Sequence, residues 1–407
     1  MTLSNAIRDR GALRPIALIC AGAMLSPLDS AVNIAFPSIV DAFAIEPRDI
    51  QWVVIAFVVA QSLASLAFGR MGDLHGHRRV FAAGLVCCLL AHWAVAQSQT
   101  FGTLVATRAL QGAAVGMAVA CAPALIAAVS TPAQKAQMLA VYSAAVSAGF
   151  MIGPLAGGVL VELFGWEGVF LFRVVLSALV LALIPLWLRA DVGGLRTDRS
   201  RDPARRPRVA WVILRSTRFV ALQSAGLMIY MATFSILLWV PFLLASWTGL
   251  SLSLAGTVLA AFPMGSFVAS LLAAKGPWPL GVRYSGTLVR TGLACAAFGL
   301  GATAGCALAA SAWAITAALF VCGVGLGSFQ AGYMEQTMRW LPADNSGIAG
   351  SLLTFIRLGG LVIGVPILSA LGSSFGIAAT LAASAALLAI WAFAYRVTEP
   401  AHGSTLS

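Results

Sequence analysis

The sequence predicts an all-α polytopic membrane protein with twelve transmembrane helices. Composition is the first reason: 60% of the 407 residues are hydrophobic and only 10% are charged, whereas a soluble domain is about one quarter charged. The second is that the apolar residues fall into twelve stretches long enough to cross a bilayer, about 20 residues for a core of roughly 30 Å. The third is the placing of basic residues in alternate loops. A soluble fold would leave more apolar surface than one core can hide. The forty glycines follow no Gly-X-Y period, which excludes collagen.

The predicted spans are 15–37, 50–69, 80–98, 102–127, 137–161, 168–188, 219–246, 253–274, 284–305, 310–333, 347–370 and 374–395. The first stretch is too long for a signal-peptide core and lacks a small-x-small cleavage site, so it reads as a retained span. Short cytoplasmic loops retain Lys and Arg. With both termini inside, cytoplasmic segments hold twenty of the 25 basic residues and external loops hold only Arg48. The other four, Arg108, Arg173, Arg290 and Arg357, fall within spans.

This partition also accounts for the net charge of +11. Much of the excess lies in one segment, 189–218, with nine arginines, paired glycines and two prolines but no apolar periodicity. It reads as a solvated linker facing an anionic leaflet, not as a nucleic-acid site. The linker separates an N-terminal six-helix bundle (1–188) from a C-terminal one (219–407). Weak internal repetition agrees with a duplication: Pro132-Ala133 with Gly149 recurs 210 residues later as Pro342-Ala343 with Gly359. Gly276 to Arg283 is a degenerate echo of Gly69 to Arg78. Many secondary transporters are built from such repeats, with the ligand site near the midplane between them.

Signatures of enzyme chemistry are missing. No HExxH, GxSxG or P-loop lysine occurs, and the seven cysteines have no CxxC spacing. His75 and His77 beside Asp73 are too few for a metal site. Neither metal nor cofactor is expected, and the chain reads as a non-enzyme.

Five segments, in order along the spans, carry a resemblance. Span 1 contains Leu28-Asp29-Ser30-Ala31-Val32-Asn33-Ile34-Ala35-Phe36-Pro37, an LD-x-x-x-x-N-x-A-x-P element. The loop after span 2 reads Gly69-Arg70-Met71-Gly72-Asp73-Leu74-His75-Gly76-His77-Arg78-Arg79. Span 4 has Arg108-Ala109-Leu110-Gln111-Gly112, and span 5 has Gly149, Gly153-Pro154 and Gly157-Gly158. Span 11 adds Arg357-Leu358-Gly359-Gly360 with Gly364. Together these resemble the major facilitator superfamily, more closely its drug:proton antiporter (multidrug efflux) branches. The resemblance implies two six-helix bundles, a cytoplasmic gate at Gly69, Asp73, Gly76, Arg78 and Arg79, and an exporter-type helix at Gly149, Gly153, Pro154, Gly157 and Gly158. It also links Arg108 to proton coupling and implies a monomer in a cell's inner (plasma) membrane. Leu74 departs from the gate pattern, where a basic residue is usual.

Charges inside a membrane are costly, so the default reading is function or pairing. From a helical rise of about 1.5 Å per residue, Asp29 lies roughly 12 Å and Arg108 roughly 9 Å below the outer surface. They can therefore form a switchable pair, in which Asp29 takes the proton because Arg stays charged. A fixed ion pair joining spans 1 and 4 is the plainer alternative. Arg173 and Arg290 lie outside the family elements, so they hint at an anionic substrate or else snorkel to an interface. Asn33, Gln61, Gln111, Tyr230, Phe234, Trp239 and Arg357 are further candidates to line a cavity, though packing between helices is the commoner role of such side chains. The expected activity is alternating-access export of amphiphilic drugs or small organic solutes, driven by inward-moving protons. Small-molecule substrate, protons and the bilayer are the expected partners. The alternatives are a proton-linked importer or facilitator of an organic, possibly anionic, metabolite, then a membrane-embedded enzyme or a non-transporting receptor.

Overall fold

The computed structural model describes residues 10–131, 134–188, 216–246, 250–275, 285–309, 311–340 and 346–398. Most of the basic linker (189–215), the Pro132-Ala133 and Pro342-Ala343 repeats, and the echo at Gly276 to Arg283 lie outside the described residues.

Every described regular element is helical. The helices are α1 (Arg10–Ala23), α2 (Val32–Phe43), α3 (Gln51–His75), α4 (His77–Ala96), α5 (Phe101–Val129), α6 (Lys135–Trp187), α7 (Thr217–Ala245), α8 (Leu252–Lys275), α9 (Ser285–Ala309), α10 (Ala312–Trp340), α11 (Ser346–Phe375) and α12 (Ile377–Thr398). Among the described residues, ten helices are long and apolar enough to cross a membrane, or eleven when the bent α1–α2 pair counts as one span. One of the ten, α6, folds back at Gly165, whose φ of 72° is a left-handed conformation open to glycine. It holds predicted spans 5 and 6, so all twelve passes are present.

Local chemistry explains the punctuation. Gly76, at φ 92°, turns the chain between α3 and α4. Thr100 caps α5: its hydroxyl accepts from the Thr103 amide at 3.2 Å, and Thr103 reciprocates. Large apolar side chains stay on the outer surface, including Leu186, Trp313, Ile390 and Phe375, as a helix bathed in lipid requires.

The first span differs from its expected form. It is not one helix over 15–37 but α1, a 3-10 turn at Pro27–Ala31 and α2 running on to Phe43, with a bend of 42°. Pro27 has no amide hydrogen to continue α1, and the tighter turn recovers the bonding: the Asp29 amide donates to the Ser26 carbonyl at 3.0 Å.

The chain divides into two compact units: residues 1–199 with 251–257, and residues 200–250 with 258–407. In the first, α5 packs against α3 and α4, and α6 packs against α4, α2 and the 3-10 turn. In the second, α9 packs against α10 and α12, and α7 packs against α11 and α12.

Candidate functional site

The 3-10 turn lifts Asp29 out of helical register and into the interior of the first unit. Behind it lies one face of α6. A Cβ at Gly149 would sit 2.6 Å from Pro27, and one at Gly157 would sit 2.8 Å from the Ala31 carbonyl. Gly153 faces Ser30 and the Ala31 amide just as closely. Glycines every four residues share a helix face, and this one is the seat of the turn. Ser30 pins it further, donating to the Pro27 carbonyl at 2.7 Å. On another face of α6, Pro154 and Gly158 contact residues 252–256, which belong to the same unit.

In front of the turn, the Asp29 carboxylate meets two guanidinium groups. Arg108 of α5 donates from both terminal nitrogens to the two carboxylate oxygens, each at 2.8 Å. Arg173 of α6 donates to Oδ1 at 2.5 Å. The arginine side chains are 2% and 1% exposed, and that of Asp29 is 14% exposed. Arg108 is fixed by the Val53 carbonyl at 3.2 Å, by Gln111 Oε1 at 2.7 Å and by the Phe57 ring at 4.3 Å. Arg173 is held by the Val169 carbonyl at 3.2 Å and stacks over Phe170 at 4.9 Å. Two cations thus share one carboxylate, leaving the cluster with a net charge of one positive unit.

Arg108 and Asp29 therefore meet, as the sequence allowed, although α2 runs six residues beyond the Pro37 from which the depth of Asp29 is counted. Arg173 joins them and does not snorkel to an interface. A depth argument locates it too: Arg173 follows the Gly165 bend by eight residues, about 12 Å of helix, and Arg108 follows Phe101 by seven, about 11 Å. Gln111 orients Arg108 and is fully buried. Gln61 is half-buried and donates to Ser26 at 2.7 Å, one turn from Asp29. Asn33 is buried on α2.

At the turn between α3 and α4, His77 faces Asp73 at 3.2 Å, and the Arg78 Nε donates to the Leu188 carbonyl at 2.9 Å. Gly69 leaves only ordinary contact space toward Ala120, and Arg79 lies in the first turn of α4. Among the described residues no group of three His, Cys, Asp or Glu could hold a metal ion.

In the second unit, Tyr230, Phe234 and Trp239 lie along α7. Phe234 and Trp239 are buried, and the Trp239 indole donates to the Leu368 carbonyl at 2.8 Å. Tyr230 pairs with Gln330 and lies near Arg357, which is exposed. Arg290 is half-buried on α9. Composition did not reveal a buried polar cluster nearby: Tyr333 donates to Gln223 Oε1 at 2.5 Å, and Gln223 donates to Thr337 at 3.3 Å. Three residues of uncharged polar type carry little signal in an apolar span.

Comparison with known families settles what this scaffold is. Residues 18–300 match the model of the Major Facilitator Superfamily. The chain belongs to that superfamily. Members are membrane transporters, and this chain is accordingly a multi-pass transport protein. A solved structure similar to this superfamily member is a bacterial homolog of the human lysosomal transporter Spinster, inward-facing and unoccupied. Its TM-score is 0.80 at 16% identity, over 96% of this chain and 97% of that one. Among curated relatives, the tetracenomycin C resistance and export protein of Streptomyces glaucescens is 27% identical over 88% of this chain and 76% of its own length. The riboflavin transporter RibZ of Clostridioides difficile is 29% identical over 41% of this chain, and the puromycin resistance protein pur8 of Streptomyces alboniger is 36% identical over 37%. The chain spans only 37% and 31% of the length of those two relatives.

Proposed function

We propose that this transporter is a proton-coupled antiporter that exports amphiphilic drugs or small organic solutes by alternating access. Its place would be the inner (plasma) membrane, with both termini in the cytoplasm. The observation that carries the reading is the single carboxylate, Asp29, held between Arg108 and Arg173 inside the first unit. Guanidinium groups stay charged at any relevant pH, so Asp29 is the member of the cluster that can take up a proton. Neutral Asp29 loses its attraction for both cations, and the cations then repel each other. Protonation is thereby converted into a force that parts α5, α6 and the 3-10 turn. Removal of the proton draws them together again.

The likeness to a resistance and export protein, over 88% of this chain and 76% of that protein, supports the outward direction. The surplus positive charge of the cluster supports a second reading, a proton-linked importer or facilitator of an organic anion. Everted membrane vesicles holding an acid-inside gradient, reported by a pH dye, separate the two. Ethidium, tetracycline and citrate are added in turn. Antiport predicts that at least one of them discharges the gradient through the wild-type chain and not through Asp29→Asn. Solute movement that ignores the proton gradient would sink the reading.

A further inference from the structure

α4 carries a buried histidine that the Asp29 cluster leaves unused. His92 is fully buried, yet neither ring nitrogen makes a well-formed hydrogen bond. An imidazole always has a donor to place, and when neutral an acceptor as well. Buried polar atoms without partners are rare and call for an explanation. Four further side chains of the same unit have unfilled buried atoms: His77 at Nδ1, Arg173 at Nη2, Gln111 at Nε2 and Ser177 at Oγ. His77 opens α4 at its other end, whereas the last three are on α5 or α6, which pack against α4.

The charged groups that act on His92 come from three elements: Arg173 on α6, Asp29 on the 3-10 turn and Arg108 on α5. One turn back on α4, the backbone carbonyl of Cys88 is the hydrogen-bonding group that acts on the ring. α3 also packs on α4, but its ionisable residues, Arg70, Asp73 and His75, sit at the Gly76 end. Glu162 and Glu167 flank the Gly165 bend of α6.

Depth gives this histidine a direction. It lies four residues before the end of α4 at Ala96, so about 6 Å of helix separates it from the loop to α5. Arg108 and Arg173 lie about 11–12 Å from the same end of the unit. The partition of Lys and Arg in the sequence makes that end external. We infer that His92 is a proton-relay residue, accepting a proton from the external side on a ring nitrogen and handing it to the Asp29 carboxylate. The imidazole returns to its neutral form, Asp29 becomes the neutral acid, and no other reactant is needed. The inference rests on the antiport reading for its direction, but the proton link between His92 and Asp29 can be tested alone.

The chain has four histidines, so replacing His75, His77 and His402 by Gln leaves His92 as the single imidazole. The full chain, labelled with nitrogen-15 histidine, is titrated in lipid nanodiscs with and without Asp29→Asn. Where the triple variant does not fold, subtraction of a His92→Gln spectrum from the wild type isolates the same signal. The relay requires that His92 titrate reversibly, with a midpoint that falls once the carboxylate is neutralised. An imidazole that stays neutral wherever the protein is folded, or whose midpoint ignores Asp29→Asn, overturns it. In the vesicle assay with ethidium, tetracycline and citrate, His92→Gln should slow proton discharge at least about tenfold. An unslowed discharge also overturns the relay. If the wild type discharges nothing while the titration links the two residues, the antiport reading fails and the proton link stands.

Discussion

Asp29 and Arg173 share a hydrogen bond although 144 residues separate them in the chain. That contact makes Asp29 a bridge between α5 and α6, since Arg108 already claims both of its oxygens. Removing one partner of a buried ion pair costs about 3–5 kcal/mol, because the other charge stays behind unpaired. Asp29→Asn strands two. The variant should unfold at least about 3 kcal/mol more easily than the wild type in detergent, measured by reversible denaturation where that can be achieved. Adding Arg173→Gln to it should restore part of the loss, a non-additivity that a double-mutant cycle would read directly.

The proposed proton coupling has a thermodynamic ceiling. One proton moving down 100 mV supplies about 2.3 kcal/mol, enough for roughly a fifty-fold gradient of a neutral solute. Vesicles clamped at that potential with no pH difference should approach this ratio with the wild type and reach none with Asp29→Asn. A ratio well above a hundred-fold would require a second proton per cycle.

Gly157→Val should damage the site without touching a charged group. Its side chain would enter the space of Ala31, and overpacking of this kind costs about 1–3 kcal/mol. Transport should fall sharply, whereas Gly102→Ala, at a position open to space, should leave it unchanged. Equal activity of the two variants would mean that the seat of the turn is tolerant.

Trp239→Phe tests the second unit. It deletes the indole donor to Leu368 and leaves that carbonyl to find another partner, a loss of about 1 kcal/mol. Stability measured by denaturation should drop by that amount. A drop several times larger would assign Trp239 a role in packing beyond its hydrogen bond.

The arrangement of spans was legible because lipid imposes one simple demand, a long apolar run, and the positive loops fix its alternation. The meeting of Asp29 with Arg108 was legible from the scarcity of intramembrane charges and from the family element at Arg108, more than from a depth counted to Pro37, since α2 continues to Phe43. The break in the first span was not, because hydropathy is the same for a 3-10 turn as for an α-helix, and other spans keep their helix through a proline, as at Pro123 and Pro154. Arg173 was seen as a charge but not as a partner, since an isolated intramembrane arginine has several neighbours it could choose. His92 left even less trace: one histidine in an apolar helix gains meaning only when its ring proves fully buried without a well-formed hydrogen bond.

The fold of α6 at Gly165 joins two grips on the same turn. The arm before the bend carries the glycines that cradle the backbone of Pro27–Ala31, and the arm after it carries Arg173, which holds the carboxylate. Asp29 is thus clasped like an object in tongs whose pivot is one glycine. Under the proposed antiport, spreading the arms would free the acid from both sides at once, and closing them would capture it from both. A substitution at Gly165 that stiffens or skews this pivot would leave every contact residue in place and still spoil their timing.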